Sequence, residues 1–91
     1  MYNLVLSNRF KKSYKKALKR GLNKEVFENA LSLLVQDGRL PKEYLPHELK
    51  GDFKGIWECH IQNDWLLLWK RWDITLTIML IDTGTHSDIF E

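Results

Sequence analysis

Three strand-like runs follow one another in residues 55–82, which read GIWECHIQNDWLLLWKRWDITLTIMLID. The runs are Gly55–Ile61, Trp65–Arg71 and Ile74–Asp82. Each run is rich in the β-branched, aromatic and aliphatic residues that favour strands, and the gaps between the runs are short enough for hairpin turns. The middle run is apolar on both faces from Trp65 to Trp69, which is typical of a strand covered on both sides. We therefore predict an antiparallel three-stranded meander with this run at its centre.

A short strand and two helices are predicted ahead of the meander. Tyr2–Leu6 is rich in strand formers, and Ser7 after it can begin a helix by accepting a backbone hydrogen bond. Apolar side chains recur at helical spacing in two stretches, Phe10, Tyr14, Ala17 and Leu18 in the first and Phe27, Ala30, Leu31 and Leu34 in the second. Gly21 ends the first helix, while Asn23 can cap the second and Gly38 can end it. This order predicts an α+β fold in which a two-helix hairpin packs on the antiparallel sheet.

The composition is that of one small globular domain spanning residues 1–91. Hydrophobic residues make up 44% of the chain and charged residues 29%, which is enough apolar material for one core. No apolar run has the length of a membrane span, and the N-terminal strand is too short for a signal peptide, so we expect a cytoplasmic protein. Cys59 is the single cysteine, which fits a reducing compartment, and we expect it to pack inside a strand.

Half of the basic residues lie in the first predicted helix. They are Arg9, Lys11, Lys12, Lys15, Lys16, Lys19 and Arg20, and no acid interrupts them. The rest of the chain has seven basic and 12 acidic residues, so the positive charge is concentrated at one end. Such a cluster can attract RNA or another polyanion, and it can equally be a solvated helix face.

The three histidines, His47, His60 and His86, lie at loops or strand ends of the second half. Histidine is the side chain best suited to moving protons near neutral pH. We expect His60 to end one strand of a hairpin and Asp64 to begin the next, so that the two lie side by side. His86 follows the last strand in a turn-rich tail that Phe90 can anchor. A purely structural tail, in which Ser87 and Asp88 cap a final helical turn, explains the same residue types without activity.

Metal and cofactor motifs are missing from the sequence. The histidines, with Asp64 and Glu58, could in principle surround zinc, but the chain has no HxxxH, HExxH or CxxC spacing. It also has no glycine-rich phosphate loop and no GxSxG turn. We therefore expect neither a metal nor a cofactor.

Five sequence blocks, taken together, resemble the YafQ-like toxins of the RelE/ParE superfamily in order and spacing. They are Leu40 to Tyr44, His47 to Gly51, Glu58 to Ile61, Asp64 to Leu67 and Thr83 to Phe90. The resemblance implies a RelE-like compact α+β domain that acts as a toxin of a type II toxin–antitoxin system. It also implies a ribosome-dependent endoribonuclease that cuts mRNA, with an antitoxin as its protein partner.

The resemblance also implies specific site residues. The family's active site matches His47, His60, Asp64 and His86, with Trp65 and Phe90 beside them. The implied reaction needs no metal: the 2′-OH of a nucleotide attacks its own 3′ phosphodiester and leaves a 2′,3′-cyclic phosphate and a 5′-OH. His86 is the candidate acid, Asp64 or His60 the candidate base, and His47 the group that orients the phosphate.

One position departs from the family pattern. Relatives commonly have arginine four residues before the last histidine, where this chain has Asp82, which we expect at the end of the last strand. Lys50, Lys54 or a protonated histidine could supply the missing cation.

Two other functions fit the same fold. ParE-like members of the superfamily poison DNA gyrase by contact and do not need the histidines. A catalytically inactive relative could act mainly by binding its antitoxin, for which Asp82 is the argument.

Overall fold

The computed structural model describes all residues from Met1 to Glu91. Its helices and strands, in chain order, are β1 (Asn3–Leu6), α1 (Asn8–Lys19), α2 (Lys24–Asp37), β2 (His47–Glu48), β3 (Trp57–Gln62), β4 (Trp65–Trp72), β5 (Thr77–Thr85) and α3 (His86–Phe90). Short 3₁₀ turns at Lys42–Tyr44 and Gly51–Phe53 lie in the connection between α2 and β3. The predicted α+β fold is confirmed, and the structure adds the two-residue strand β2 and the helix α3.

Capping side chains begin the two long helices where the sequence predicts. The Ser7 hydroxyl accepts a hydrogen bond from the Phe10 amide at 3.0 Å, and the Asn23 side chain accepts one from the Val26 amide at 3.1 Å. Each cap contributes about 1 kcal/mol by satisfying an amide that has no partner inside the helix. α2 ends at Gly38, whose φ of 74° lies in the left-handed region that glycine adopts without a steric penalty.

The five strands form one sheet in the order β1-β5-β4-β3-β2. The predicted antiparallel meander is confirmed for β3, β4 and β5, with β4 in the middle of the sheet. β1 adds to the other side of β5 as a parallel strand, with Asn3 opposite Thr77 and Leu6 opposite Leu80. The first strand of the chain therefore lies beside the strand that leads into α3.

The helices cover one face of the sheet and form the core with it. The buried core cluster comprises Phe10, Ala17, Leu22, Phe27, Ala30, Leu34, Leu40, Cys59, Ile61, Leu67, Trp69, Ile78 and Leu80. In β4, Leu67 and Trp69 belong to this cluster, whereas Leu66 and Leu68 are equally buried but alternate with them onto the opposite face. The prediction that this strand is covered on both faces is confirmed.

Cys59 packs in the core, as predicted. Its side chain is fully buried, and burial raises the pKa of the thiol to about 12. The thiolate is the reactive form of cysteine, so Cys59 is chemically inert in the folded protein.

Two strand boundaries differ from the prediction. β5 begins at Thr77 and continues to Thr85, whereas the apolar pattern predicts Ile74 to Asp82. Isoleucine favours strands, but Ile74 lies fully exposed in the turn after β4. His86 directly follows the last strand, as predicted, and the alternative of a final helical turn is confirmed by α3, although Thr85 and not Ser87 is its N-cap.

Candidate active site

His47 and Glu58 lie opposite each other on the short β2–β3 pair. His47 Nε2 is 3.3 Å from Glu58 Oε1, and His47 Nδ1 is 2.9 Å from the Leu45 carbonyl oxygen. Glu58 is buried, and its other carboxyl oxygen has no hydrogen-bond partner.

Both ring nitrogens of His47 therefore face oxygen atoms, Nδ1 in a hydrogen bond with the Leu45 carbonyl and Nε2 in a contact with the Glu58 carboxyl group. A neutral imidazole has only one N–H group, so only a protonated His47 can donate to both oxygens at once. The free carboxyl oxygen of Glu58 gives the pair a further acceptor or donor atom in a buried setting.

His60 lies on the same face of β3 as Glu58, because the two residues are two positions apart in a strand. Across the sheet His60 pairs with Leu66, and Leu66 pairs with Gly84. Strands are spaced by about 4.8 Å, so the backbones at His60 and Gly84 are roughly 10 Å apart. His86 follows Gly84 by two residues.

Asp64 is not the cross-strand neighbour of His60. β3 continues to Gln62, and the two-residue turn Asn63-Asp64 joins it to β4. Asp64 is exposed in this turn and makes no hydrogen bond with a histidine. The prediction that the two side chains lie side by side is therefore wrong, because β3 continues past His60 to Gln62 and His60 pairs with Leu66, two residues beyond Asp64.

Aromatic contacts connect His86 to the loop between β2 and β3. The ring of His86 lies 5.0 Å from that of Phe90, and Phe90 meets Phe53 edge to face at 5.5 Å. Phe90 thus anchors α3, as predicted. Phe53 belongs to the loop that joins the strands of His47 and His60, so this chain of contacts brings all three histidine-bearing elements together.

Lys50 and Lys54 flank Phe53 in the same loop. Both side chains are exposed and line a shallow cavity of about 280 Å³. Their role as a source of positive charge stays a prediction.

Acidic residues neutralise both arginines of the basic helix. Arg9 Nε donates to Asp82 at 3.0 Å, and Arg20 donates to Asp88 at 2.7 Å. The expectation that no acid lies near the seven cations is therefore wrong, because the fold brings acids from the far end of the chain. The cations left without an ion pair are the five exposed lysines Lys11, Lys12, Lys15, Lys16 and Lys19.

Asp82 lies inside β5 and not at its end. It is 5% exposed, with one carboxyl oxygen accepting from Arg9 and the other from the Thr83 amide at 2.9 Å. The β4–β5 register shifts next to this position, between Leu68 and Trp69 of β4. The Asp82 carboxylate is thus held by α1 and by its own strand, and an arginine at position 82 would be brought against Arg9.

The structure gathers no group of three or more His, Cys, Asp or Glu side chains in reach of one metal ion. None of its helices combines the length and the apolar character that a membrane span needs.

Known proteins share the whole of this architecture. The family model described as the bacterial toxin of type II toxin–antitoxin system, YafQ, matches residues 2–91. The chain belongs to the YafQ toxin family. The mRNA interferase toxin YafQ of Escherichia coli K12 is 33% identical over 89 residues, which cover 97% of this chain and 95% of that protein.

Solved YafQ structures have the same fold. The crystal structure of YafQ from E. coli BL21(DE3) matches with a TM-score of 0.90 at 28% identity, covering 100% of both chains. The toxin in the crystal structure of the E. coli DinJ–YafQ complex matches with a TM-score of 0.88 at 29% identity, again over 100% of both chains. The predicted family and its α+β architecture are confirmed.

Two residues of this YafQ-family chain belong to the site although the sequence does not predict them there. The sequence suggests Glu58 only as a metal ligand, although its alternation with His60 in β3 already puts both on one face. The sequence does not indicate a role for Phe53. It lies in a loop without a regular hydrophobic pattern, and its partner Phe90 is far away in the chain.

Proposed function

We propose that this YafQ-family toxin is a ribosome-dependent endoribonuclease that stops translation by cutting mRNA in the bacterial cytoplasm. The observation that carries the proposal is the contact chain from His86 through Phe90 to Phe53, which links α3 to the strands of His47 and His60. Membership in a family of toxins, and a relative named as an mRNA interferase, support the same reaction. A cognate antitoxin, as DinJ is for the E. coli toxin, is its expected protein partner.

Two proton-carrying side chains suffice for the reaction, one as the base and one as the acid. His60 or Asp64 removes the proton of the 2′-OH, and the oxygen then attacks the adjacent phosphorus. The bond to the 5′ oxygen breaks as His86 donates a proton to that oxygen. The products are a 2′,3′-cyclic phosphate and a 5′-OH, and the proton taken up by the base balances the proton given by the acid. Phe90 contacts the His86 ring and offers a ring on which a base can stack, and Trp65, which lies opposite Thr85 in the sheet, is a further candidate for stacking.

A protonated His47 would supply positive charge to the transition state. Because its ring lies between the Leu45 carbonyl and Glu58, it can donate to a phosphate oxygen only by leaving one of these partners. The short strand β2 and the exposed side of His47 permit that exchange. This arrangement offers a cation for the phosphate that does not depend on residue 82. Lys50 and Lys54 remain further candidates for the same role.

Induction of the chain alone in bacteria tests the proposed function. We expect growth to stop and new mRNA 5′ ends to appear within translated regions, each carrying a free hydroxyl. A gyrase poison would also stop growth, but it would inhibit DNA supercoiling in vitro and leave mRNA intact. An inactive antitoxin-binding relative would leave growth unchanged. Either of the last two results refutes the endoribonuclease proposal.

The exposed lysines of α1 are proposed to bind ribosomal RNA. Replacing Lys11, Lys12, Lys15 and Lys16 by glutamine should weaken ribosome binding and flatten its dependence on salt. The slope should fall by about one unit for each lysine–phosphate pair that the substitutions remove. Binding measured between low and moderate salt gives this slope.

A matched pair of variants separates a local RNA contact from a general effect of charge. Lys11→Gln with Lys12→Gln removes two cations from α1, and Lys24→Gln with Lys42→Gln removes two exposed cations elsewhere. Equal slopes for the two pairs would mean that α1 is only a solvated face. If ribosome binding survives but capture of the purified antitoxin fails, α1 is the antitoxin surface instead.

A further inference from the structure

Arg20, at the C-terminal end of α1, touches two groups next to His86. Its guanidinium donates to Asp88 Oδ2 at 2.7 Å and lies 5.5 Å from the centre of the Trp65 ring. Trp65 pairs with Thr85 in the β4–β5 register, and Thr85 directly precedes His86. Arg20 therefore contacts both the strand beside His86 and the helix that begins with it.

The Asp88 carboxylate fixes the start of α3. Its Oδ2 atom accepts from the Thr85 amide at 2.9 Å as well as from Arg20, and the Thr85 hydroxyl accepts from the Asp88 amide at 3.3 Å. The Thr85 amide, with a contribution from Arg20, lowers the pKa of the Asp88 carboxyl and keeps it ionised. A helix of five residues has too few internal hydrogen bonds to form on its own, so its first turn depends on this cap.

Asp88 packs closely against β5 on one side. A Cβ atom on Gly84 would lie 3.0 Å from both Cβ and Oδ2 of Asp88, so the carboxylate rests directly on the β5 backbone. The same Oδ2 atom accepts from Arg20 and from the Thr85 amide, so a change at Arg20 acts on the first turn of α3, where His86 is located.

We infer that Arg20 is a positioning residue for His86: it holds Asp88 and Trp65 on either side of the turn that presents the catalytic imidazole. This inference rests on the proposed role of His86 as the acid. It also separates Arg20 from the lysines of the same helix, which are free to meet RNA.

The test compares Arg20→Gln with Lys24→Gln, which removes one exposed cation four residues further along the chain and touches nothing in the site. We expect Arg20→Gln to lower kcat for ribosome-bound mRNA about 10- to 100-fold, the scale of a misplaced catalytic group, with KM unchanged. Lys24→Gln should leave both parameters unchanged. Arg20→Lys, which can still pair with Asp88, should recover part of the rate.

Two structural readouts do not depend on activity. In Arg20→Gln the amides of Thr85 and Asp88 should exchange hydrogen faster, and the NMR signals of the His86 ring should move while those of His47 stay in place. Asp88→Asn keeps the shape of the side chain but removes its charge. The double variant Arg20→Gln with Asp88→Asn should cleave mRNA no more slowly than the slower single variant, because the two residues act through one contact.

Other outcomes overturn the inference. A raised KM with normal kcat would make Arg20 an RNA contact, and unchanged α3 amides and His86 signals would show that it does not position the helix. If His86→Ala cuts mRNA at the normal rate, the proposed function of His86 fails, and the exchange and NMR measurements still decide whether Arg20 orders α3.

Discussion

Replacing His86 by alanine is expected to lower the rate of mRNA cleavage about 10²- to 10⁴-fold, the usual contribution of a general acid. The ring is exposed at the start of α3, and its only aromatic contact is with Phe90, so little of the core depends on it. The thermal midpoint of the variant should therefore stay close to that of the wild type. Single-turnover cleavage on programmed ribosomes measures the decrease in rate.

The matched control is Ser87→Ala, the next residue of α3. Ser87 is exposed and its hydroxyl bonds only to Glu91, so its replacement tests the effect of a small change in the helix without touching the imidazole. Normal cleavage by His86→Ala, or loss of its fold, would show that His86 is not the proton donor.

Replacing His47 by alanine is expected to lower the rate about 10²- to 10³-fold, as removal of one charge-stabilising donor does in other enzymes. The substitution removes the ring that is proposed to orient the phosphate and leaves Glu58 without its partner. Glu58→Gln keeps the shape of the pair but removes the carboxyl group. Its rate should fall less than that of His47→Ala, because the imidazole stays in place.

Glu43→Gln serves as the control, since it removes an exposed acid from the preceding 3₁₀ turn. Equal cleavage rates for the wild type, Glu58→Gln and Glu43→Gln would show that Glu58 has no role in catalysis. Full activity of His47→Ala would leave Lys50 and Lys54 as the source of positive charge.

Local patterns were sufficient to predict the helices and the central strand of this protein. Ser7, Asn23 and Gly38 act at the positions that the sequence indicates, because capping needs only residues close in the chain. The alternation of Leu66 to Trp69 between the two faces of the sheet can also be predicted from neighbouring residues alone. The bounds of β5 could not be predicted in this way, because the exposed apolar residues Ile74 and Leu76 have the composition of a strand and lie in a turn.

The sequence predicts which types of residue form the candidate site, but not which residues contact each other. The histidines and Asp64 are candidates from their chemistry and from the family resemblance. The pairs Arg9–Asp82 and Arg20–Asp88 join residues 73 and 68 positions apart, and no periodic pattern carries such information. The predicted pairing of His60 with Asp64 failed for a related reason, because a small shift of the turn changes every cross-strand neighbour.

The parallel pairing of β1 with β5 has a consequence for how the toxin is made. A ribosome synthesises Asn3 long before its partner Thr77. Ser7 is likewise made long before Ile81, whose carbonyl accepts a hydrogen bond from the Ser7 hydroxyl. The sheet cannot close, and α1 cannot reach Asp82 and Asp88, until nearly the whole chain has emerged from the exit tunnel. The arrangement of α3 beside β5, on which the proposed site depends, therefore forms only late in synthesis, after β5 has left the tunnel.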